Sequence, residues 1–216
     1  MKALEARRTP MYLLRMIDDY LAQRKLIYDT DDGPIEYRIT AGVPQGSVLG
    51  PFLWNVMYDG LLELELPDAS CIVGFADDAG SVATATSTQT LEIIANECLR
   101  RASKWMRENG LAISVQKTEA LLITDKRIFT PPSLVLEGQT VPWSKSLRYL
   151  GVQLDNGMKY TEHIKNIAEK ASTTAAALAR LMPNIGGPKE CKRRLLNSVI
   201  HSKILHAAEI WAEAFG

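Results

Sequence analysis

The stretch Ile72-Val73-Gly74-Phe75-Ala76-Asp77-Asp78-Ala79-Gly80-Ser81-Val82-Ala83 constrains this chain more than any other. An apolar run, a short polar turn and a run of small residues specify a β-hairpin. Two neighbouring carboxylates repel each other, and an apolar flank makes each harder to ionise. A chain that keeps both at one turn is therefore set up to receive a divalent cation. The same residues also form an ordinary polar hairpin turn, for which Asp and Gly are favoured. The surroundings of the turn decide between the two readings.

At 216 residues and 46% hydrophobic, the chain can bury the core of one ordinary domain or two small ones. No apolar run approaches the roughly 18 residues of a membrane span, and the Met1–Arg8 start lacks the apolar centre of a signal peptide. The expectation is an intracellular protein of nucleus or cytoplasm, neither secreted nor membrane-bound. Cys71, Cys98 and Cys191 are too few and too widely spaced for a disulfide framework, and with His163, His201 and His206 they make no metal-ligand pattern. Formal net charge is zero, which by itself points to no polyanionic partner, but the charge is unevenly spread. Ala41 to Leu99 holds no Lys or Arg and eight acidic residues, whereas Met158 to Gly216 holds nine Lys or Arg against five Glu. One segment is suited to attract cations and the other phosphates, unless both are simply solvated surface.

Taken in order, residues 9–24 carry apolar residues at helical spacing, from Leu13 to Leu21, with Pro10 near the first turn. Lys25 to Thr40 reads as a hairpin around an acidic turn, Asp29 to Pro34, which lacks the further ligands at regular spacing of a calcium loop. Ala41 to Pro51, with three glycines and two prolines, specifies a loop whose backbone can approach another molecule, and Ser47 is placed to cap the helix that follows. That helix turns Leu49, Leu53, Val56 and Met57 inward, and Trp54 and Tyr58 read as core residues. Residues 88–109 form an amphipathic helix with Gly110 past its end. Leu111 to Ile123 reads as a strand on which Lys117 either snorkels to solvent or meets a phosphate. Short strands follow at 134–136, 140–141 and 147–154. Two helices close the chain: 161–182, stopping at Pro183 to Gly187, and a second opening on Pro188 and running through Leu195, Val199, Ala207, Ala208, Trp211 and Phe215.

The order Gly-Val-Pro-Gln-Gly-Ser, helix, Phe-Ala-Asp-Asp hairpin, amphipathic helix, Leu-x-x-Ser-x-x-Lys-Thr and Leu-Arg-Tyr-Leu-Gly resembles the reverse transcriptases of non-LTR retrotransposons, on their jockey and I-factor side. The matching motifs cover roughly residues 39–216. The resemblance implies an α+β fold: part of the palm of a right-hand polymerase at 1–157, an antiparallel sheet with packed helices, then a helical thumb at 158–216. It implies catalysis with two magnesium ions, Asp77 as a metal ligand, and Asp78 as a second, less essential carboxylate. Pro44, Gln45, Gly46 and Ser47 would face template and incoming nucleotide beside Phe75. Lys117 would lie near the pyrophosphate, and Tyr149, Leu150 and Gly151 would grip the primer. The partners implied are an RNA template, a DNA primer or RNA–DNA duplex, deoxynucleoside triphosphates and the rest of the same polyprotein.

Physical chemistry agrees with that assignment. Hard carboxylate oxygens suit magnesium, a segment free of Lys and Arg leaves them available, and a basic thumb holds a duplex by its phosphates without reading sequence. The resemblance also implies a further carboxylate, on a palm strand upstream of the helix at 9–24, and fingers upstream of that. Neither is matched in this sequence, and Asp18 and Asp19 do not substitute if they are helical. The expectation is a polymerase segment inactive on its own; the rival expectation is a nucleic-acid-binding remnant of a retroelement with no chemistry.

Overall fold

The computed structural model describes residues 1–125, 130–180 and 190–215. The chain divides into two compact units, Met1–Ile113 and Ser114–Gly216.

In the first unit, α1 (Lys2–Ala6), α2 (Met11–Leu21) and α3 (Leu49–Leu62) meet on a small core of Leu4, Leu14 and Leu53, with Ile17, Tyr20, Leu21, Val43 and Val56 packed around it. Pro10 stands just before α2, as its cap residue, and not inside its first turn. β1 (Lys25–Thr30) and β2 (Gly33–Arg38) pair antiparallel with Thr30 opposite Gly33. The acidic turn is therefore the two residues Asp31-Asp32, shorter than the sequence suggests, because Asp29 and Pro34 pair within the ladder. β3 (Ser70–Phe75) and β4 (Asp78–Ala83) form the second hairpin, which packs on α3 and on α4 (Thr88–Glu108). α4 starts where the Ser87 hydroxyl accepts the Thr90 N–H, buries Cys98 and Ser103, and gives way to Gly110 at φ +72°.

α3 departs from its expected inward face at Leu49, which is 42% exposed, while Leu53 is buried and Val56 and Met57 are half-buried. Leu49 lies in the first turn, next to the loop and beyond the Leu4–Leu14 core.

In the second unit, the predicted strand at 111–123 forms only as β5 (Ala120–Leu121), preceded by a 3₁₀ turn at Val115–Lys117. The cause is local: the Lys117 N–H and the Thr118 hydroxyl both bond to the Ser114 carbonyl at 3.0 Å, offering the backbone an alternative to a ladder. β5 pairs in parallel with β8 (Trp143–Ser144). β6 (Val135–Leu136) and β7 (Gln139–Thr140) join through Glu137-Gly138, both at positive φ. The run 147–154 folds back on itself: β9 (Ser146–Tyr149) and β10 (Val152–Asp155) are closed by Leu150 at φ +46° and Gly151 at φ +90°.

α5 (Thr161–Arg180) and α6 (Glu190–Ile204) pack together as a helical hairpin. The expected helix stop at Pro183 to Gly187 and start at Pro188 lie outside the described residues. α6 ends sooner than its apolar pattern indicates, since Ala207 turns to φ +51° before α7 (Ala208–Trp211) and a terminal 3₁₀ turn. The Trp211 indole N–H bonds back to the His206 carbonyl at 2.9 Å and holds that break. α6 buries no residue, and Leu195 and Val199 are 66% and 38% exposed. Among the described residues no helix is long and apolar enough to cross a membrane.

Candidate functional site

Phe75 and Asp78 face each other across the ladder, so the β3–β4 turn consists of Ala76 and Asp77 alone. Asp77 sits in the turn and Asp78 opens β4; both are exposed, so the apolar flank does not bury them. Phe75, the last residue of β3, is 64% exposed. In the favoured two-residue hairpin turns, types I′ and II′, the first loop position takes positive φ, where Gly or Asn is preferred. This chain has Ala76 there, at φ +54°, a conformation that costs a residue with a Cβ ~1–2 kcal/mol.

The turn is tied from below. Trp54 on α3 donates its indole N–H to the Ala76 carbonyl at 3.0 Å. Its ring stacks on Tyr58, 5.4 Å between centroids and 20° apart, and Tyr58 meets the edge of Trp105 on α4 at 6.4 Å. A neutral hydrogen bond contributes about 1 kcal/mol net, the same size as the strain at Ala76. Gly74 makes room for this stack: a Cβ there would lie 2.7 Å from Tyr58 Cε1 and 3.2 Å from Leu62 Cδ2. Helical spacing assigns Trp54 to the core; the structure leaves it half-buried with its N–H on the turn, which nothing local in the sequence signals.

The same α3 carries the glycine-rich loop at its N-terminus. Val43 packs on the α1–α2–α3 core, Pro44 and Ser47 are half-buried, and Gln45 and Gly46 are exposed, with Gly46 at φ +81°. The Ser47 hydroxyl donates to the Pro44 carbonyl at 2.7 Å and accepts the Gly50 N–H at 3.0 Å, so Ser47 does cap the helix. Gly50 is required by this closure, since a Cβ would fall 2.8 Å from Ser47 Oγ and 3.1 Å from the Pro44 carbonyl. Arg24, which sequence reasoning passed over, fixes the start of the loop through a 2.7 Å bond to the Gly42 carbonyl.

Electrostatically this hairpin keeps the character its sequence indicates. Arg100 and Arg101, the first cations after the acidic stretch, are engaged by Glu97 on α4. Hydrogen bonds from Arg100 and then Arg101 hold the Glu97 carboxyl down to about 2. Asp77 and Asp78 supply hard oxygen donors of the right kind for magnesium, but the described residues contain no group of three or more His, Cys, Asp or Glu placed to hold a metal.

In the second unit, Lys117 is exposed at the end of its 3₁₀ turn. Tyr149 ends β9 with its hydroxyl buried and unpartnered among the described residues. A Cβ on Gly151 would meet His206 Nε2 at 2.8 Å, which leaves only glycine at that corner. Arg148, Lys170, Lys203 and His206 line an open groove of about 600 Å³ along α5 and α6. His163, buried at its floor, accepts the Gln153 N–H on Nδ1 at 3.2 Å, so its own proton sits on Nε2. Burial first, then His206, Lys170 and Arg148, lower its pKa.

Comparison with known proteins decides the family. The family model described as "Reverse transcriptase (RNA-dependent DNA polymerase)" matches residues 1–154. The chain belongs to the reverse transcriptase family. Its relatives are non-LTR retrotransposon proteins. The Pol polyprotein of type-1 retrotransposable element R1 from Nasonia vitripennis is 30% identical over 80% of this chain and 53% of its own length. The 115 kDa protein of the R1DM element of Drosophila melanogaster is 27% identical over 89% of this chain and 19% of its own. The RNA-directed DNA polymerase of the mobile element jockey from Drosophila melanogaster is 26% identical over 95% of this chain and 23% of its own. The chain thus spans from about a fifth to about half the length of these relatives. No solved structure matches it. The reverse transcriptase segment described here is a mixture of helices and small, mostly antiparallel sheets.

Proposed function

We propose that this chain is the palm and thumb portion of an RNA-directed DNA polymerase that copies a retroelement RNA by two-metal nucleotidyl transfer, with the palm at 1–157 and the thumb at 158–216. The observation that carries the reading is the acidic two-residue turn tied to the helix that also bears the Pro44–Ser47 loop. Asp77 and Asp78 would hold magnesium. When bound, the ions activate the primer 3′ hydroxyl and neutralise the leaving phosphates. Gln45 and Gly46, exposed on a loop closed by Ser47 and Arg24, bring backbone groups to the template and incoming nucleotide. Phe75 offers an exposed ring beside Asp78; in this reading Lys117 is the residue for the pyrophosphate and Tyr149, Leu150 and Gly151 are those for the primer. The groove of Arg148, Lys170 and Lys203 holds the RNA–DNA duplex by its phosphates.

One or two carboxylates with waters suffice to hold a single magnesium ion, but two-metal transfer needs the further carboxylate that the resemblance implies upstream of α2, so in this reading the 216 residues alone do not extend a primer and the remaining ligand comes from another part of the polyprotein. The test is primer extension on an RNA template with magnesium and deoxynucleoside triphosphates. It compares the 216-residue chain with a longer polypeptide carrying the upstream part of an R1-type polymerase, each with and without Asp77→Ala. Synthesis by the longer polypeptide alone, abolished by Asp77→Ala, supports the reading. Synthesis by the 216 residues contradicts the incomplete site, and salt-sensitive duplex binding with no synthesis by either favours a nucleic-acid-binding remnant.

A further inference from the structure

We propose that Trp54 is the positioning residue of the acidic turn: its indole N–H fixes the Ala76 carbonyl and thereby the backbone that presents Asp77 and Asp78. The Ala76 carbonyl belongs to the peptide plane that joins Ala76 to Asp77. Its direction sets where the Asp77 Cα–Cβ bond points, and Asp78 follows as the first paired residue of β4. At φ +54° Ala76 sits in a conformation that alanine leaves when nothing holds it. The bond at 3.0 Å is what holds it.

The indole itself has little freedom. One face lies on the buried Tyr58 ring, whose own position is fixed by the edge of Trp105 and by the bare backbone of Gly74 beneath it. Order therefore passes from α4 through Tyr58 to Trp54 and from Trp54 to the turn. The chain has traded the glycine that such a turn prefers for alanine plus an external anchor. The Trp54 N–H goes to the backbone carbonyl of the turn, so Trp54 acts through that backbone and takes no part in chemistry. The consequence for catalysis rests on the reading of Asp77 and Asp78 as the metal-bearing pair, whereas the anchoring does not.

The experiment uses the ¹⁵N-labelled 216-residue chain as wild type, Trp54→Phe, Ala76→Gly and the double variant. Phenylalanine keeps a ring against Tyr58 and removes the donor. Glycine at 76 holds positive φ without help. Amide exchange and ¹⁵N relaxation are read at Asp77, Asp78 and Gly80, with α4 amides as the control for folding, and Mn²⁺ broadening is read at the same residues.

Trp54→Phe is expected to speed turn exchange and weaken Mn²⁺ binding about fivefold, as the loss of one hydrogen bond does, with α4 unchanged; the double variant regains most of both. Turn amides that ignore Trp54→Phe overturn the proposal. So does a loss of the same size in the Ala76→Gly background, which would make Trp54 a packing residue only. Wild-type protein without Mn²⁺ broadening at Asp77 and Asp78 contradicts the metal reading, and the exchange data still judge Trp54.

Discussion

The first unit contains two hairpins on one plan. β1–β2 and β3–β4 are both antiparallel hairpins of six-residue strands closed by two residues; Asp31-Asp32 form the first turn, neither at positive φ, whereas the second turn is Ala76, at φ +54°, and Asp77, with Asp78 opening β4. The first stands clear: no residue of β1 or β2 is buried, and Ile27 and Tyr37 are 60% and 64% exposed. Its ties are internal, a Lys25–Glu36 ion pair and a Thr30 hydroxyl on the Gly33 carbonyl. The second lies on α3 and α4, with Gly74 seated under Tyr58 and Trp54 bonded to its turn. Two carboxylates at a hairpin tip do not make a site. A ligand set must be held before the ion arrives, and of these two tips it is the second whose backbone is tied from outside the hairpin.

The contrast breaks most sharply at Gly74. Gly74→Ala drives a methyl into the Tyr58 ring, and a denaturant titration should show a loss of about 1–3 kcal/mol. An unchanged midpoint would mean that the second hairpin is no better anchored than the first.

A pH step sharpens it from outside, since His163, His201 and His206 all belong to the second unit. The fold lowers the His163 pKa, so the unfolded chain binds the proton more readily. The stability of that unit is complete above about 6.5 and declines as pH falls below it. Urea unfolding at pH 7.5 and 5.5 should show the lower midpoint at 5.5, with a smaller difference in His163→Phe. The smallest effect is at Ile27→Ala on the exposed hairpin, which should shift stability by less than about 0.5 kcal/mol.

Much of this was legible in the sequence where the determinants are local. The second hairpin, the glycine-rich loop capped by Ser47 and the helix from Thr88 to Glu108 are all written in turn residues, caps and apolar period. What failed was competition or distance. Ser114 and Thr118 took backbone bonds that a strand at Lys117 needed. The terminal helix breaks at Ala207 although its apolar spacing continues to Phe215. The acidic pair was legible as a pair. The bond from Trp54 to Ala76, across 22 positions, was not, because Trp54 at helical spacing looks like any core aromatic.

The most direct test of the central claim is Mn²⁺ line broadening recorded on both hairpins of one ¹⁵N-labelled sample. Broadening at Asp77 and Asp78 at Mn²⁺ concentrations that leave Asp31 and Asp32 sharp, and its loss in Asp77→Asn, is the result the account predicts. Equal broadening at the two tips would show that the anchored turn has no special affinity for a divalent cation, and would contradict the metal-bearing role proposed for it.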